Sequence, residues 1–307
     1  MISLALAALL CVQNPPAPPT PGEKKDTPAP AAHPAAPQLV PGAIPASAGA
    51  EERARWQDLC RAALVPGATR TPIQAFDLWL DVRFNSSATQ TNEVFKLRYR
   101  YLAPDFLRAM TEHGYELVRG PKGDFNFDPK RAETLPLPVG REGAEDRRQL
   151  AEILDLARNF TALSDPAALR IAELHLAKVD AQLLPESLRK GAEGLVWLEL
   201  LTPDFRLPKS EKGGLVRVQL GLRAGKSLPE LCIVSAADAK AAAGTTLIRV
   251  PEYSAQAGLM VPWSLAVHAL DEAGHSFQPK PTLEVWLKNE SNLHPSLAAE
   301  AFQPPFK

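Results

Sequence analysis

The stretch Phe76-Asp77-Leu78-Trp79-Leu80-Asp81-Val82-Arg83-Phe84 decides the fold class. Phe76, Leu78, Leu80, Val82 and Phe84 are large and apolar, and Asp77, Trp79, Asp81 and Arg83 alternate with them. Successive side chains of an extended chain point to opposite faces, so a period of two makes this a strand with one dry face. After a polar connection rich in Asn, Ser and Thr the pattern returns. Phe95, Leu97, Tyr99 and Tyr101 share one side and Lys96, Arg98 and Arg100 the other, so the two segments read as a hairpin. Shorter strands fit 106–112, 115–119 and 124–127, punctuated by His113-Gly114 and Gly120-Pro121-Lys122-Gly123, which extends the hairpin into a meander.

Strand signals resume at 171–178, at 195–201 and at 215–222, where Val216, Val218, Leu220 and Leu222 alternate with Arg217 and Gln219. Further strands fit 231–234 and 247–250. In a closing hairpin Leu259, Val261, Trp263, Leu265 and Val267 share a face, Asp271-Glu272-Ala273-Gly274 turns the chain, and Leu283, Val285 and Leu287 share a face on the return. Pro262 has no N–H to donate, so its strand needs an edge or a bulge there, and the sheet is expected not to close fully. About ten or eleven strands are expected in all.

Two segments change to a period of 3.6. Glu51 and Glu52 precede Trp56, Leu59, Cys60 and Ala63 at helical spacing, and Pro66-Gly67 ends the pattern. Between about 142 and 163, Leu150, Ile153, Leu154, Ala157 and Phe160 form one stripe, with Arg147, Arg148, Glu152, Asp155 and Arg158 around the rest. Asp165-Pro166, its proline suited to a first helical position, leads back into strands. Each helix has an apolar underside to cover, and the sheet has a dry face. The expected class is therefore α+β: an incompletely closed antiparallel β-barrel covered by amphipathic helices.

The chain has 307 residues and 30 prolines, eleven of them within the first 50, too uneven for one uniformly folded body. From 13 to 50 Pro and Ala dominate and only Glu23, Lys24, Lys25 and Asp26 are charged, so this segment is expected to be a disordered spacer, semi-rigid or merely a passive linker, with the body at 51–307. Met1 to Val12 form an apolar run broken only by Ser3, the length of a secretory signal core although no basic residue precedes it; export is expected. Cys11 follows Leu10, where a lipoprotein signal requires a small residue, so lipidation there is the lesser alternative. With 34 basic and 35 acidic residues the net charge is −1, which leaves no field to gather a polyanion and argues against nucleic acid as a partner. No stretch approaches the roughly eighteen apolar residues of a transmembrane helix.

The run Phe95-Lys96-Leu97-Arg98-Tyr99-Arg100-Tyr101-Leu102-Ala103-Pro104-Asp105-Phe106-Leu107-Arg108, then Gly123-Asp124-Phe125-Asn126-Phe127-Asp128-Pro129, is similar to the Lol-type outer-membrane lipoprotein carriers, the LolA-like proteins. In that family a basic and apolar strand enters a turn with proline and arginine, followed by a glycine turn and an aromatic strand. The downstream order agrees: a helix, a strand, Leu198-Glu199-Leu200-Leu201-Thr202-Pro203, the strand at 215–222, Leu228-Pro229-Glu230-Leu231, and a closing Asn292, Phe302 and Pro304-Pro305. The resemblance covers about residues 51–306. It implies an open barrel with a helical lid over an apolar cavity, carrying lipoprotein acyl chains through the aqueous periplasm with no enzymatic activity and no cofactor. A methylene buried is worth ~0.8 kcal/mol, so a long chain left in water costs on the order of 10 kcal/mol and must be hidden during transfer. The stretches 135–148 and 203–214 are longer than a compact carrier needs, and the spacer is foreign to a free shuttle. A tethered envelope protein that senses or binds a protein partner on the same scaffold is the alternative.

Signs of other chemistry are sparse. His33, His113, His175, His268, His275 and His294 are scattered without zinc-ligand spacing, and no Gly-x-Ser-x-Gly elbow occurs. Gly225-Lys226-Ser227 resembles the end of a phosphate loop, but Leu220 stands where the earlier glycine is needed, so it reads as a hairpin turn. Asp77 and Asp81 share the outer face and read as solvated carboxylates, and Lys96, Arg98 and Arg100 read as an ordinary solvated row that could also meet anionic headgroups. Cys60 and Cys232 read as buried small hydrophobes that an exported protein could pair. The candidate ligand-binding residues are thus the dry faces named above together with Leu150, Ile153 and Leu154. They line a cavity if a void remains between sheet and helix, and are plain core if none does.

Overall fold

The computed structural model describes residues 39–85, 94–103, 106–128, 133–136, 155–207, 214–238, 244–271 and 273–303. The apolar run at the start, most of the Pro/Ala segment, and Leu150, Ile153 and Leu154 lie outside the described residues. Among the described residues thirteen antiparallel strands form one sheet. The first six are β1 (Ala75–Phe84), β2 (Val94–Leu102), β3 (Phe106–Thr111), β4 (Glu116–Gly120), β5 (Gly123–Asp128) and β6 (Glu133–Pro136). The others are β7 (Glu173–Ala177), β8 (Leu195–Thr202), β9 (Val216–Arg223), β10 (Lys226–Ala236), β11 (Thr246–Gln256), β12 (Leu259–Ala269) and β13 (Leu283–Leu287). The expected ten or eleven strands are exceeded, β6 falling in a stretch whose prolines mask any period of two.

Along the sheet the order runs β6-β5-β4-β3-β2-β1-β13-β12-β11-β10-β9-β8-β7. Two meanders, β1 to β6 and β7 to β13, are therefore joined where the first strand pairs with the last, Leu80 opposite Leu287 and Val82 opposite Val285. β6 and β7 stand at opposite ends of that order, so the barrel is incompletely closed. Pro262 resolves as the bulge alternative. Its strand is central, but Pro262 faces Tyr253 beside a register shift, and β13 pairs with β12 only from Ser264 onward.

Among the described residues three α-helices accompany the sheet: α1 (Ala50–Ala62), α2 at 155–164, and α3 (Glu186–Ala192). Trp56 and Leu59 of α1 join the core beside the inward residues of the sheet, and α1 lies against β7, β8 and β10. Its end is stitched to the β11–β12 turn, where the Val65 N–H donates to Gly258 O at 3.0 Å and the Met260 N–H to Ala63 O at 2.8 Å. The seat begins before Glu51: Ala48 is buried, and the Arg53 guanidinium donates to the carbonyls of Pro45, Ala46 and Ala48.

α2 is held over β1 and β2 by an aromatic cluster. Phe76 stacks on Tyr101 at 5.0 Å and meets Phe160 of α2 edge-on at 5.7 Å. The Ala157 backbone also hydrogen-bonds the buried Tyr99 hydroxyl, whose pKa burial pushes well above its ordinary value. At the end of the helix Asp165, its side chain 2% exposed, receives two hydrogen bonds from Arg70 at 2.8 and 3.0 Å. A second anchor is reciprocal, the Asn159 side chain donating to Arg206 O and accepting from Arg206 N–H.

α3 was not expected. It packs Leu188 and Ala192 against Leu231, Ile233, Leu247 and Phe277 on the opposite side of the sheet. Both faces are thereby dry where β10 and β11 pair, which is why Leu231-Cys232-Ile233-Val234 is buried without alternation and Leu247 and Ile248 are both buried. Such an unbroken run is the sequence signal of two-sided burial. The C-terminal segment seats Phe302 against β3 and β4, where a Cβ on Gly120 would stand only 1.9 Å from the Phe302 carbonyl oxygen.

Candidate functional site

The inward residues of the sheet meet in one core. Phe76, Leu78, Leu80, Val82, Tyr99, Val218, Leu220, Val261, Leu265, Val285 and Leu287 are all buried in a single cluster with Trp56 and Leu59 of α1 and Ala157 and Phe160 of α2. Leu97 and Trp263 pack against it, while Phe95 and Val267 are half-buried. Phe84 belongs to β1 by backbone register alone, its side chain lying outside the described residues, as do Leu150, Ile153 and Leu154. The faces chosen from the alternation are thus brought together, and the described helices fill the space over them with side chains.

The opening lies elsewhere, in the wall. β10 and β11 pair only from Leu231 opposite Arg249 to Val234 opposite Thr246. Beyond that level both strands continue, Lys226 to Glu230 and Val250 to Gln256, in register only with their outer neighbours β9 and β12. The cause is local chemistry. Pro229 and Pro251 supply no N–H to a ladder. Register shifts flank Pro229 on β10 and fall between Arg249 and Glu252 on β11, and such bulges bend and re-aim a strand. One side chain bridges the separation: the Tyr253 hydroxyl donates to Pro229 O at 3.0 Å. Burial drives the Tyr253 pKa well above 10, so this donor keeps its proton.

A pocket of about 640 Å³ occupies the gap. That volume falls within the roughly 300–1,000 Å³ of small-molecule sites. Its lining joins two apolar layers that the sheet otherwise separates. Val250, Leu228 and Tyr253 belong to or pack on the inner core, and Leu231, Leu188 and Leu195 belong to or pack on the outer one. Ala62 of α1 also lines the pocket, together with Ser187 and Gly191 of α3. Arg223, Lys226, Glu230, Arg249 and Glu252 supply the charges. Arg223 is committed to Glu230, at 2.7 Å through Nε, and its hydrogen bonds hold the Glu230 carboxyl below the usual range. Alternation could not reveal this site, because a separation between strands depends on how two distant proline bulges come level. The signal available in the sequence is Leu228-Pro229-Glu230 and Val250-Pro251-Glu252, a proline at the margin of each of the two expected strands.

A second depression of about 590 Å³ lies beside β1 on the polar face, lined by Trp79, Lys96, Arg98, Met110, Lys288 and Glu290 among others. Trp79 is 39% exposed, and the Arg98 guanidinium sits 4.7 Å over its ring. Asp77 is no free acid. It accepts from Arg98 at 2.9 and 2.8 Å and from Arg100 at 3.0 Å; burial alone would raise its pKa, and these bonds outweigh burial and lower it. Asp81 pairs with Lys288. Of the basic row, Arg98 and Arg100 are therefore held within the sheet by one shared carboxylate, which cancels one of their two charges. Arg108, in the turn of the family-like run, is structural: it pairs with Glu116 and donates to Ala301 O.

The remaining chemistry stays bland. Both described cysteines are free, burial raises the Cys60 thiol to about 12, with the Asp165 charge adding to it, and burial raises Cys232 further still. Gly225-Lys226-Ser227 is the β9–β10 hairpin turn, Gly225 having φ +79°. Among the described residues no three His, Cys, Asp or Glu side chains gather as a metal site.

No family model matches the chain, and no curated protein matches it. Solved structures similar to it include a LolA superfamily protein from Nitrosomonas europaea, at 11% identity over 81% of this chain and 97% of the other, with a TM-score of 0.43. A DUF1329 family protein from Desulfovibrio piger is similar at 13% identity over 82% and 96%, TM-score 0.43. An outer membrane lipoprotein-sorting protein domain from Vibrio parahaemolyticus is similar at 9% identity over 82% and 93%, TM-score 0.39. The first and third of these are, by name, the kind of protein that the sequence resembles. Likeness at this level leaves function to be argued from the residues themselves.

Proposed function

We propose that this chain is an exported, non-enzymatic binder of an acyl chain, from a lipid or a lipoprotein, which it shelters in the apolar layer between the inner face of the sheet and its helices. The observation that carries the reading is the gap between β10 and β11, a sizeable pocket whose walls are members of both apolar layers. A chain entering there meets Leu228, Val250 and Tyr253 first and continues into the inner core only if the helical cover gives way. Nonspecific apolar contact suits a ligand that must later be released. Leu80, Val261, Leu265 and the other inward residues then form the deeper binding surface, filled by the protein's own side chains when no guest is present. Export rests on the apolar run Met1 to Val12.

The test is uptake of a fluorescent fatty acid by the purified protein, with native mass spectrometry for co-purified lipid. Binding is expected, and Leu228→Trp, which fills the gap from a partly buried position, is expected to weaken it about tenfold or more while leaving the thermal midpoint within a few degrees. A protein that takes up no acyl probe and carries no lipid overturns the reading.

The second reading, a tethered envelope protein recognising a protein partner, is favoured by one observation: the exposed Trp79 under Arg98 in the polar-face depression, a pairing of residue types common at interaction hot spots. Partner capture lost in Trp79→Ala but kept in Leu228→Trp separates it from the first.

A further inference from the structure

The pocket between β10 and β11 is not uniformly apolar, and its charges are not all paired. Among the described residues Arg249 makes no hydrogen bond or ion pair, although its Nε is buried. It stands opposite Leu231 at the last paired level before the strands part, where the pocket begins. Lys226, on the β9–β10 turn at the other side of the pocket, makes no ion pair among the described residues, though it lies near enough to Glu230 for its charge to help lower that carboxyl's pKa. Arg223 and Glu230 cancel one another. Glu252 is exposed at the rim and makes no ion pair among the described residues, and the five charged side chains of the lining sum to one net positive charge over an apolar floor of Leu228, Leu231 and Val250. A guanidinium with a buried, unpartnered N–H is costly unless something accepts from it, and a carboxylate or phosphate oxygen is the acceptor for which a guanidinium fork is shaped.

We propose that this pocket takes a single-chain anionic amphiphile, its carboxylate or phosphate accepting hydrogen bonds from Arg249 with Lys226 nearby, and its tail running past Leu228, Val250 and Tyr253 toward the inner layer. This rests on the acyl-binding reading and adds to it the class of headgroup and the point where it is held. Mixed chemistry of this kind orients the guest: the head cannot follow the tail inward without losing Arg249.

Isothermal titration calorimetry with dodecanoate, dodecyl phosphate and dodecanol, one chain length with three heads, tests the assignment. Either anion is expected to bind at least about tenfold more tightly than dodecanol, the difference associated with one charge-assisted hydrogen bond. Arg249→Gln and Lys226→Gln should each erase most of that preference while leaving dodecanol affinity unchanged, and Arg249→Lys should restore part of it. Glu252→Gln should tighten the anions alone. Which anion binds better separates a fatty-acid carboxylate from a phosphate headgroup. Equal affinity for all three heads, unmoved by Arg249→Gln and by Lys226→Gln, overturns the headgroup assignment and leaves acyl binding intact. No binding of any probe, dodecanol included, overturns both.

Discussion

Removing one oxygen atom tests whether the strand gap is a gate. Tyr253→Phe keeps the ring packed on the inner core and deletes the hydroxyl that donates to Pro229 O across the separation. A neutral hydrogen bond contributes ~0.5–1.5 kcal/mol net, and a carbonyl left unsatisfied in a half-buried site adds part of the ~1–3 kcal/mol desolvation cost, so a loss of about 1–2 kcal/mol is expected. No backbone ladder bond joins the two strands at this level, so the cost should fall on the closed state of the gap more than on the rest of the sheet. A change of that size is a factor of about 5–30 in an equilibrium constant. Chemical denaturation should therefore show a lower midpoint at unchanged slope, and stopped-flow uptake of a fluorescent fatty acid should accelerate by a factor within the same range. The Tyr253 hydroxyl keeps its proton well past its ordinary value, so the wild-type uptake rate should not respond to this group between pH 6 and 9. If Tyr253→Phe is destabilised as calculated but takes up the probe at the wild-type rate, the gap is not the route. An unaltered midpoint would mean that the bridge across the gap contributes nothing.

Asp165→Asn should lower stability by about 2–3 kcal/mol in denaturant titrations, less than the ~3–5 kcal/mol of a fully buried pair because Arg70, 31% exposed, can turn toward water; a loss below half a kcal/mol would show that α2 does not depend on this contact. His268 gives a pH dependence of definite sign. Burial first, and the neighbouring Arg249 charge after it, hold its pKa below 6.5, against the Gln278 carbonyl, which accepts from Nδ1 at 2.9 Å and favours the charged form. The unfolded chain then binds the proton at higher pH than the folded one, so stability present above 6.5 falls as the solution is acidified through and below that value. His268→Gln should flatten that slope in thermal melts recorded from pH 7.5 to 5, and an unchanged slope would assign the acid sensitivity to other groups.

How much of this was legible can be argued from single segments. In β1 and β2 the alternation gave the faces and the hairpin correctly, because one side of each strand is dry and the other carries Asp77 paired with both Arg98 and Arg100. In β10 alternation fails, since α3 dries the second face and Ile233 is as buried as Cys232. Trp56, Leu59 and Ala63 marked the underside of α1. The inward faces named as a ligand surface do converge, yet nothing in their spacing could tell that Phe76, Tyr99, Tyr101 and Phe160 pack ring against ring under α2.

The chain's own letters determined what depends on neighbours a few positions away: the strand period, the stripe of each helix, the turns at glycine, and the prolines that cannot join a ladder. Those follow from backbone geometry and from which side chains avoid water. Tertiary structure alone decided that β1 closes against β13, that Pro229 and Pro251 come level so that two strands part, and that Arg249 stands there with its Nε unpartnered among the described residues. Each of these joins residues far apart in the chain, and the free energy of such pairings belongs to the packed sheet as a whole rather than to any segment within it.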